Sequence, residues 1–376
     1  MIYFLVFLIS YGCFAISDFF YSKIKSLSVS LAIFAVLLVV ILSGVRDYTI
    51  GTDILVYGNS FFDMAGYTNN FMNYRQTLSA FGSSEIGYQL LNYIVHFFTV
   101  NPHILYTIIA GIINFNILYT LFLCRKIITP SLGWITYLLL IFPITLNLLR
   151  QSIALSFIAV GIALIINKKA KKSFCFFIIA CLFHNSAVIG LIIWLLGVLI
   201  YKYQYNKKAI SFIILSFLIF TGILSNLVTR LDLGGNKYAM YLAQSSDFAK
   251  TSIASSVMIR LPMLLLVLFI VLRNKFNLQP SSVFLYTLLI MELVMVPLQL
   301  INVTISRLMF YFGMSKILAY PLIVKKINSG LFGKVIISIC IYVCYIVYLI
   351  VIFYIQIIVN NSNEIYPFII SPDLHF

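Results

Sequence analysis

Apolar runs recur from one end of this 376-residue chain to the other, each long enough to cross a hydrocarbon core of about 30 Å as a helix. No other feature constrains the fold as tightly. Backbone hydrogen bonds can be satisfied within lipid by helices or by a closed barrel. A barrel needs short strands that alternate apolar and polar residues, whereas runs such as 210–224 are apolar on every side. Hydrophobic residues make up 62% of the chain and charged residues only 9%, more apolar surface than a water-soluble core encloses. The sequence therefore predicts an all-α, polytopic membrane helix bundle, a single integral membrane domain over residues 1–376 with about 12 transmembrane helices. The spans fall near 2–20, 29–45, 103–124, 132–149, 151–167, 173–185, 187–201, 209–228, 257–272, 281–301, 304–324 and 335–358. Residues 86–100 are amphipathic and end at Asn101-Pro102, the pattern of an interfacial helix. Two short outer loops, 46–102 and 229–256, and a polar tail from residue 360 complete the plan.

A net charge of +15 would raise nucleic acid as a partner of a soluble protein. Here the cations fall in every second connection: Lys23 and Lys25, Arg125 and Lys126, Lys168 to Lys172, Lys202 with Lys207 and Lys208, Arg273 and Lys275, then Lys325, Lys326 and Lys334. By the positive-inside rule those connections face the cytoplasm, so the excess is an orientation signal and no nucleic-acid partner is expected. Both termini and the loop opening at Arg46 are then outside. No basic n-region precedes the first span and no small-residue cleavage site follows it, so it is expected to be an uncleaved anchor. The six cysteines lie in or at the ends of apolar spans without metal-type spacing, so neither a disulfide nor a metal site is expected. Internal repeats of the kind that build many transporters are not visible.

The types of charge differ between the two sides. Eight of the ten acids (Asp47, Asp53, Asp63, Glu85, Asp232, Asp247, Glu364 and Asp373) are on the outer side, and six of the eight arginines (Arg46, Arg75, Arg150, Arg230, Arg260 and Arg307) lie at outer loops or helix ends. Orientation needs only positive charge, which lysine supplies, whereas arginine offers a planar fork that fits phosphate or carboxylate at two points. Chemistry is therefore expected on the outer face. Asn147, Arg150 and Gln151 fall at i, i+3 and i+4, one helical face; Arg307 and Tyr311 repeat the i, i+4 pairing. Arg150 reads equally as an anion ligand or an interfacial anchor, whereas Arg307 taken alone reads more readily as an anchor. His184, at an outer hairpin, fits a proton acceptor, a phosphate ligand or a turn cap. Gly51-Thr52-Asp53 reads as a turn and helix start with Tyr57 one turn on, and Glu85, Tyr88 and Gln89 share a face of the interfacial helix. Glu292 and Lys316 fall near mid-depth of neighbouring spans and are expected to pair, an ion pathway being the alternative. No Walker loop, His-Glu-x-x-His, Gly-x-Ser-x-Gly or Asp-x-Asp motif is present, so ATP-driven, zinc-hydrolytic, serine-hydrolytic and metal-bound sugar-nucleotide chemistries lack support.

Taken in order, Gly44, Arg46, Gly51, Thr52, Asp53 and Tyr57; Glu85, Gly87, Tyr88 and Leu91; Arg150-Gln151 with Ala154; Lys168 to Lys172; Phe183 to Ala187 around His184; and Arg307 with Tyr311 resemble the EpsG-like family, which overlaps the Wzy-type O-antigen and capsular polysaccharide polymerases. The chain departs from that pattern at Ile86, where the family often has Pro, and at Asn185, where it often has Lys. The resemblance implies a GT-C-like fold in a bacterial inner membrane and a glycosyltransferase that polymerises repeat units carried on undecaprenyl diphosphate, at the outer face, without metal, nucleotide or other cofactor. It implies lipid-linked glycan donor and acceptor, membrane lipids and a chain-length regulator protein as partners. On that reading Arg150 and Arg307, supported by Gln151 and Tyr311, are expected to clamp the diphosphate, with Arg46, Tyr57 and Tyr88 as further binding candidates. Asp53, then Glu85, then His184 are the candidates for the base, and Asp47 is an orienting partner for Arg46. A lipid-linked oligosaccharide flippase and a ligase using the same donor are the competing readings.

Overall fold

The computed structural model describes residues 2–202, 246–274, 278–296, 307–329, 335–372 and 374. The expected span at 209–228 and most of the outer loop 229–256 lie outside the described residues. The chain begins with two antiparallel helices, α1 (Ile2–Phe20) and α2 (Lys25–Gly44), followed by an irregular loop with two short helices, α3 (Ser60–Gly66) and α4 (Phe71–Ala80). Then come α5 (Ile86–Phe98), α6 (Pro102–Cys124), α7 (Pro130–Leu140), α8 (Phe142–Asn147), α9 (Leu149–Ile166), α10 (Ala170–Phe183) and α11 (Ile189–Lys202). The second half contributes α12 (Ser246–Arg273), α13 (Pro280–Met295), α14 (Met309–Gly313), α15 (Lys316–Ser329) and α16 (Val335–Phe353). Among the described residues the architecture is all-helical, and seven helices are long and apolar enough to cross a membrane. Two shorter apolar helices, α7 and α13, accompany them.

Burial follows the logic of a lipid solvent. Helix α9, at the centre, buries almost every residue from Gln151 to Ile165. The peripheral α16 leaves Val335, Ile336, Ile339, Val343 and Val347 exposed. In water such faces would drive aggregation; against lipid tails they cost nothing. Helix α5 is amphipathic in the inverted sense, with Gln89 and Asn92 buried and Leu90, Ile94, Phe97 and Phe98 exposed, as an interfacial helix requires.

The side-chain contacts sort the connections onto two ends. One end joins Tyr3 to the Ile365 carbonyl (2.9 Å), His103 to the Gly44 carbonyl (2.8 Å) and Asn185 to Ser84 (2.7 Å). The opposite end joins Arg125 to Asp18 (3.5 Å), Asn167 to the Leu123 carbonyl (3.0 Å), Tyr201 to the Ile166 carbonyl (3.2 Å) and Lys325 to the Lys126 carbonyl (3.4 Å). The lysine-rich connections thus gather on the second end, and Asp53, Glu85, Arg150 and His184 on the first.

The span expected over 132–149 is broken. Pro143 lacks the N–H that would continue the ladder, and the chain turns at Ile141 between α7 and α8. A second break at Leu148 (φ −85°, ψ 75°) separates α8 from α9. Asn147 therefore does not share a helical face with Arg150 and Gln151 as its spacing predicts. The expected span 304–324 is likewise divided, into α14 and α15.

Candidate active site

The first loop is shaped by close contact with the α8–α9 break. Gly51 adopts φ +85°, and a Cβ there would lie 2.7 Å from the Leu146 carbonyl oxygen, so only glycine fits. The Thr52 hydroxyl and the Asp53 amide both donate to Asn147 Oδ1, each at 3.2 Å. Asn147 is freed for this task by the break at Leu148. The following turn, Ile54–Asn59, is π-helical and carries Tyr57.

Glu85 is the hub. It precedes α5, and Gly87 lets that helix press against α10: a Cβ at Gly87 would meet the Leu182 carbonyl at 2.9 Å. The approach brings the Glu85 carboxylate to the end of α10, where His184 Nδ1 lies 3.3 Å from Oε1 while Arg150 Nη1 donates to Oε2 at 3.0 Å. The Arg150 guanidinium also stacks on Tyr57, its Cζ 3.8 Å from the ring centroid. Tyr88 donates to the Tyr57 carbonyl at 3.0 Å and fixes that turn. Arg150 and His184 keep 13% and 20% of their side-chain surface exposed, so the cluster is reachable from outside the bundle.

The two carboxyl groups of the site are pushed in opposite directions. Burial raises the pKa of Glu85, but the approach of His184 and the charge of Arg150 outweigh it and hold the group at about 2. Glu85 is a fixed anion. Asp53, half-buried at the start of α9, is held above the usual aspartate range because burial outweighs the opposing pull of Arg150, Arg307, His184 and the Leu149 amide. Of the three base candidates named from sequence, Asp53 is thus the carboxylate with a raised proton affinity.

The segment carrying Arg307 is tied to the same end. Gln151 donates to the Arg307 carbonyl at 2.9 Å, and Tyr311 and Ser186 hydroxyls pair at 2.9 Å. Arg307 itself is exposed. The geometry therefore brings together Asp53, Tyr57, Glu85, Tyr88, Arg150 and His184, with Gln151, Tyr311 and Arg307 alongside. Arg46 stands behind them. It is 2% exposed, its Cζ lies 5.1 Å from the Tyr106 ring centroid, and its backbone pairs with Ile370 of the tail. Burial lowers its pKa to about 10, which still leaves it charged at neutral pH. Asp47, expected to orient Arg46, instead accepts from the Thr49 amide (2.9 Å) and hydroxyl (2.6 Å) in a local turn.

Two contributions escape the sequence reading. Asn185 bridges to Ser84 and so closes the loop of Glu85 onto the hairpin of His184, a role its polar side chain allows but does not announce. Arg260, expected at an outer helix end, is buried and donates to Glu292 at 2.7–2.8 Å, because a carboxylate 2% exposed needs counter-charge. Lys316 completes that group at 2.5 Å, the partner its depth predicted.

The family model of the EpsG family matches residues 29–370, which takes in every residue of this cluster. The chain belongs to the EpsG family. No curated protein and no solved structure matches it. EpsG membership supports a polymerase-type role in polysaccharide formation, and the match runs through both halves of the bundle, not the first loop alone.

Proposed function

We propose that the protein is a glycosyltransferase that polymerises undecaprenyl-diphosphate-linked oligosaccharide repeat units into O-antigen, capsule or exopolysaccharide. The reaction takes place at the outer face of a bacterial inner membrane. The observation that carries this reading is the convergence of Arg150, Glu85 and His184 beside Asp53 at the end of the bundle opposite the lysine-rich connections. Glycosyl transfer from a lipid diphosphate needs cationic donors for the departing diphosphate and an acceptor for one proton. A hydroxyl oxygen of the incoming unit attacks the anomeric carbon of the growing chain, the bond from that carbon to the diphosphate oxygen breaks, and the hydroxyl proton passes to Asp53. Arg150 and the exposed Arg307 meet the charge left on the diphosphate, and the first amides of α9 add their dipole. Glu85, held ionised, fixes the guanidinium of Arg150 and the imidazole of His184. Arg46, being enclosed, supports the loop from behind.

The test is complementation of a strain lacking the gene with Arg150→Ala, Arg307→Ala or Asp53→Asn, with surface glycan resolved on a gel. The reading expects single repeats on the lipid carrier in place of a ladder. A normal ladder in all three variants at normal protein levels overturns the site. Precursor retained on the cytoplasmic side would favour the flippase.

A further inference from the structure

A second polar centre lies apart from the Glu85 cluster. A cavity of about 190 Å³ is lined by Leu140, Ile144 and Met314 on its apolar side and by the half-buried Ser256, Gln356 and Asn363. Its floor carries Arg260, Glu292 and Lys316. Both cations converge on one carboxylate oxygen: Arg260 Nη2 at 2.7 Å, Arg260 Nε at 2.8 Å and Lys316 Nζ at 2.5 Å from Glu292 Oε1. One carboxylate balances one cation, so among the described residues lining the cavity a positive charge is left over. A surplus charge enclosed by apolar helices is costly, and an anion entering the cavity removes that cost.

The Asn363 side of the cavity lies at the same end of the bundle as the Glu85 cluster. Asn363 neighbours Glu364, whose carbonyl accepts from the Gly51 amide at 3.0 Å. Helix α14 forms the partition: Tyr311 turns toward Ser186, and Met309, Phe310 and Gly313 line the cavity. From this placement we infer that the Arg260–Glu292–Lys316 cavity is a second anion-binding site, which takes a phosphate-bearing group and is separate from the Glu85–Arg150–His184 cluster. Arginine and lysine at one wall suit a phosphate, which has oxygens for both, and the apolar wall suits a group that arrives attached to a lipid chain. A free phosphate shares the same chemistry. The inference does not depend on the polymerase reading.

Thermal unfolding of the purified full-length protein in detergent, titrated at constant ionic strength with inorganic pyrophosphate or with a short prenyl diphosphate, tests it. Because Arg150 and Arg307 are themselves proposed to meet a diphosphate, the titration is made in an Arg150→Gln, Arg307→Gln background, which is still expected to be stabilised saturably. Lys316→Met leaves the neutral Arg260–Glu292 pair. It is expected to unfold at higher temperature without ligand and to lose about tenfold to a hundredfold in apparent affinity, the worth of a charged hydrogen bond. Ser256→Phe, which leaves the ion cluster intact but fills part of the cavity, is expected to lose the response too and serves if Lys316→Met does not fold. A response to pyrophosphate equal to that of the prenyl compound assigns the site to free phosphate, and a response to the prenyl compound alone assigns it to a lipid headgroup. No response in the Arg150→Gln, Arg307→Gln background, or an undiminished response there in both Lys316→Met and Ser256→Phe, overturns the inference. A normal ladder in Arg150→Ala, Arg307→Ala and Asp53→Asn would sink the first site and leave this result untouched.

Discussion

Glu85 and Asp53 titrate in opposite senses, and each gives its own pH signature. Glu85 is held at about 2 against an ordinary 4.5, so its contribution to stability is complete above pH 4.5 and is lost as pH falls through about 2. Glu85→Gln is therefore expected to flatten the acid limb of unfolding in that window, a comparison read by thermal melts between pH 5 and 2. Asp53 is raised, so its ionisation opposes folding as pH rises through the ordinary aspartate value of 3.8 toward its native one. In activity the sign reverses, because the base works only once ionised. Arg307 lowers the Asp53 pKa, and Arg307→Gln is expected to move the acid limb of the pH–rate profile upward as well as reduce the rate. A rate that falls with no shift of that limb would separate Arg307 from Asp53. The sequence put Asp53 ahead of Glu85 as the base, but nothing along the chain separates the two carboxylates physically. Their separation rests on the contacts of Glu85 with Arg150 and His184, residues 65 positions or more away along the chain.

Among the elements, those with long apolar runs were legible: α1, α2, α6, α9 and α16 fall close to the spans read from hydropathy, because length and composition alone define a membrane helix. The interfacial helix α5 was legible through its period and through Asn101-Pro102. The break at Ile141 carries a signal in Pro143, but the one at Leu148 has no local marker; Gln151, Asn147 and Gly51 all act through it. Gly51 is where that element-scale arrangement can be tested. Alanine there meets both a left-handed backbone and a carbonyl oxygen at 2.7 Å, so Gly51→Ala is expected to cost roughly 2–4 kcal/mol and to displace Asp53. Its thermal midpoint should fall, and complementation should fail even where folded protein remains. Gly51→Ala with wild-type stability and a normal ladder would mean that the turn does not position the loop.

For the whole molecule, the decisive property is the separation of charge between the two ends, and it was legible because alternate connections of a spanning bundle return to the same end, so lysines in every second connection gather there whatever the details of packing. The internal ion group was legible only in part. Depth alone paired Glu292 with Lys316, whereas Arg260 joins them through a helix rotation that hydropathy does not encode. Orientation is open to direct measurement. None of the described cysteines is in a disulfide, and none belongs to the Glu85 cluster, so a cysteine-free background is a fair starting point. Tyr67, 88% exposed in the first loop, and Lys169, exposed between α9 and α10, sit at opposite ends of the bundle. On intact spheroplasts a membrane-impermeant maleimide is expected to label Tyr67→Cys and to reach Lys169→Cys only after permeabilisation. The reverse pattern would place Arg150, Glu85 and His184 in the cytoplasm. A diphosphate lipid delivered to the outer leaflet would then never meet them, however well their geometry suits it.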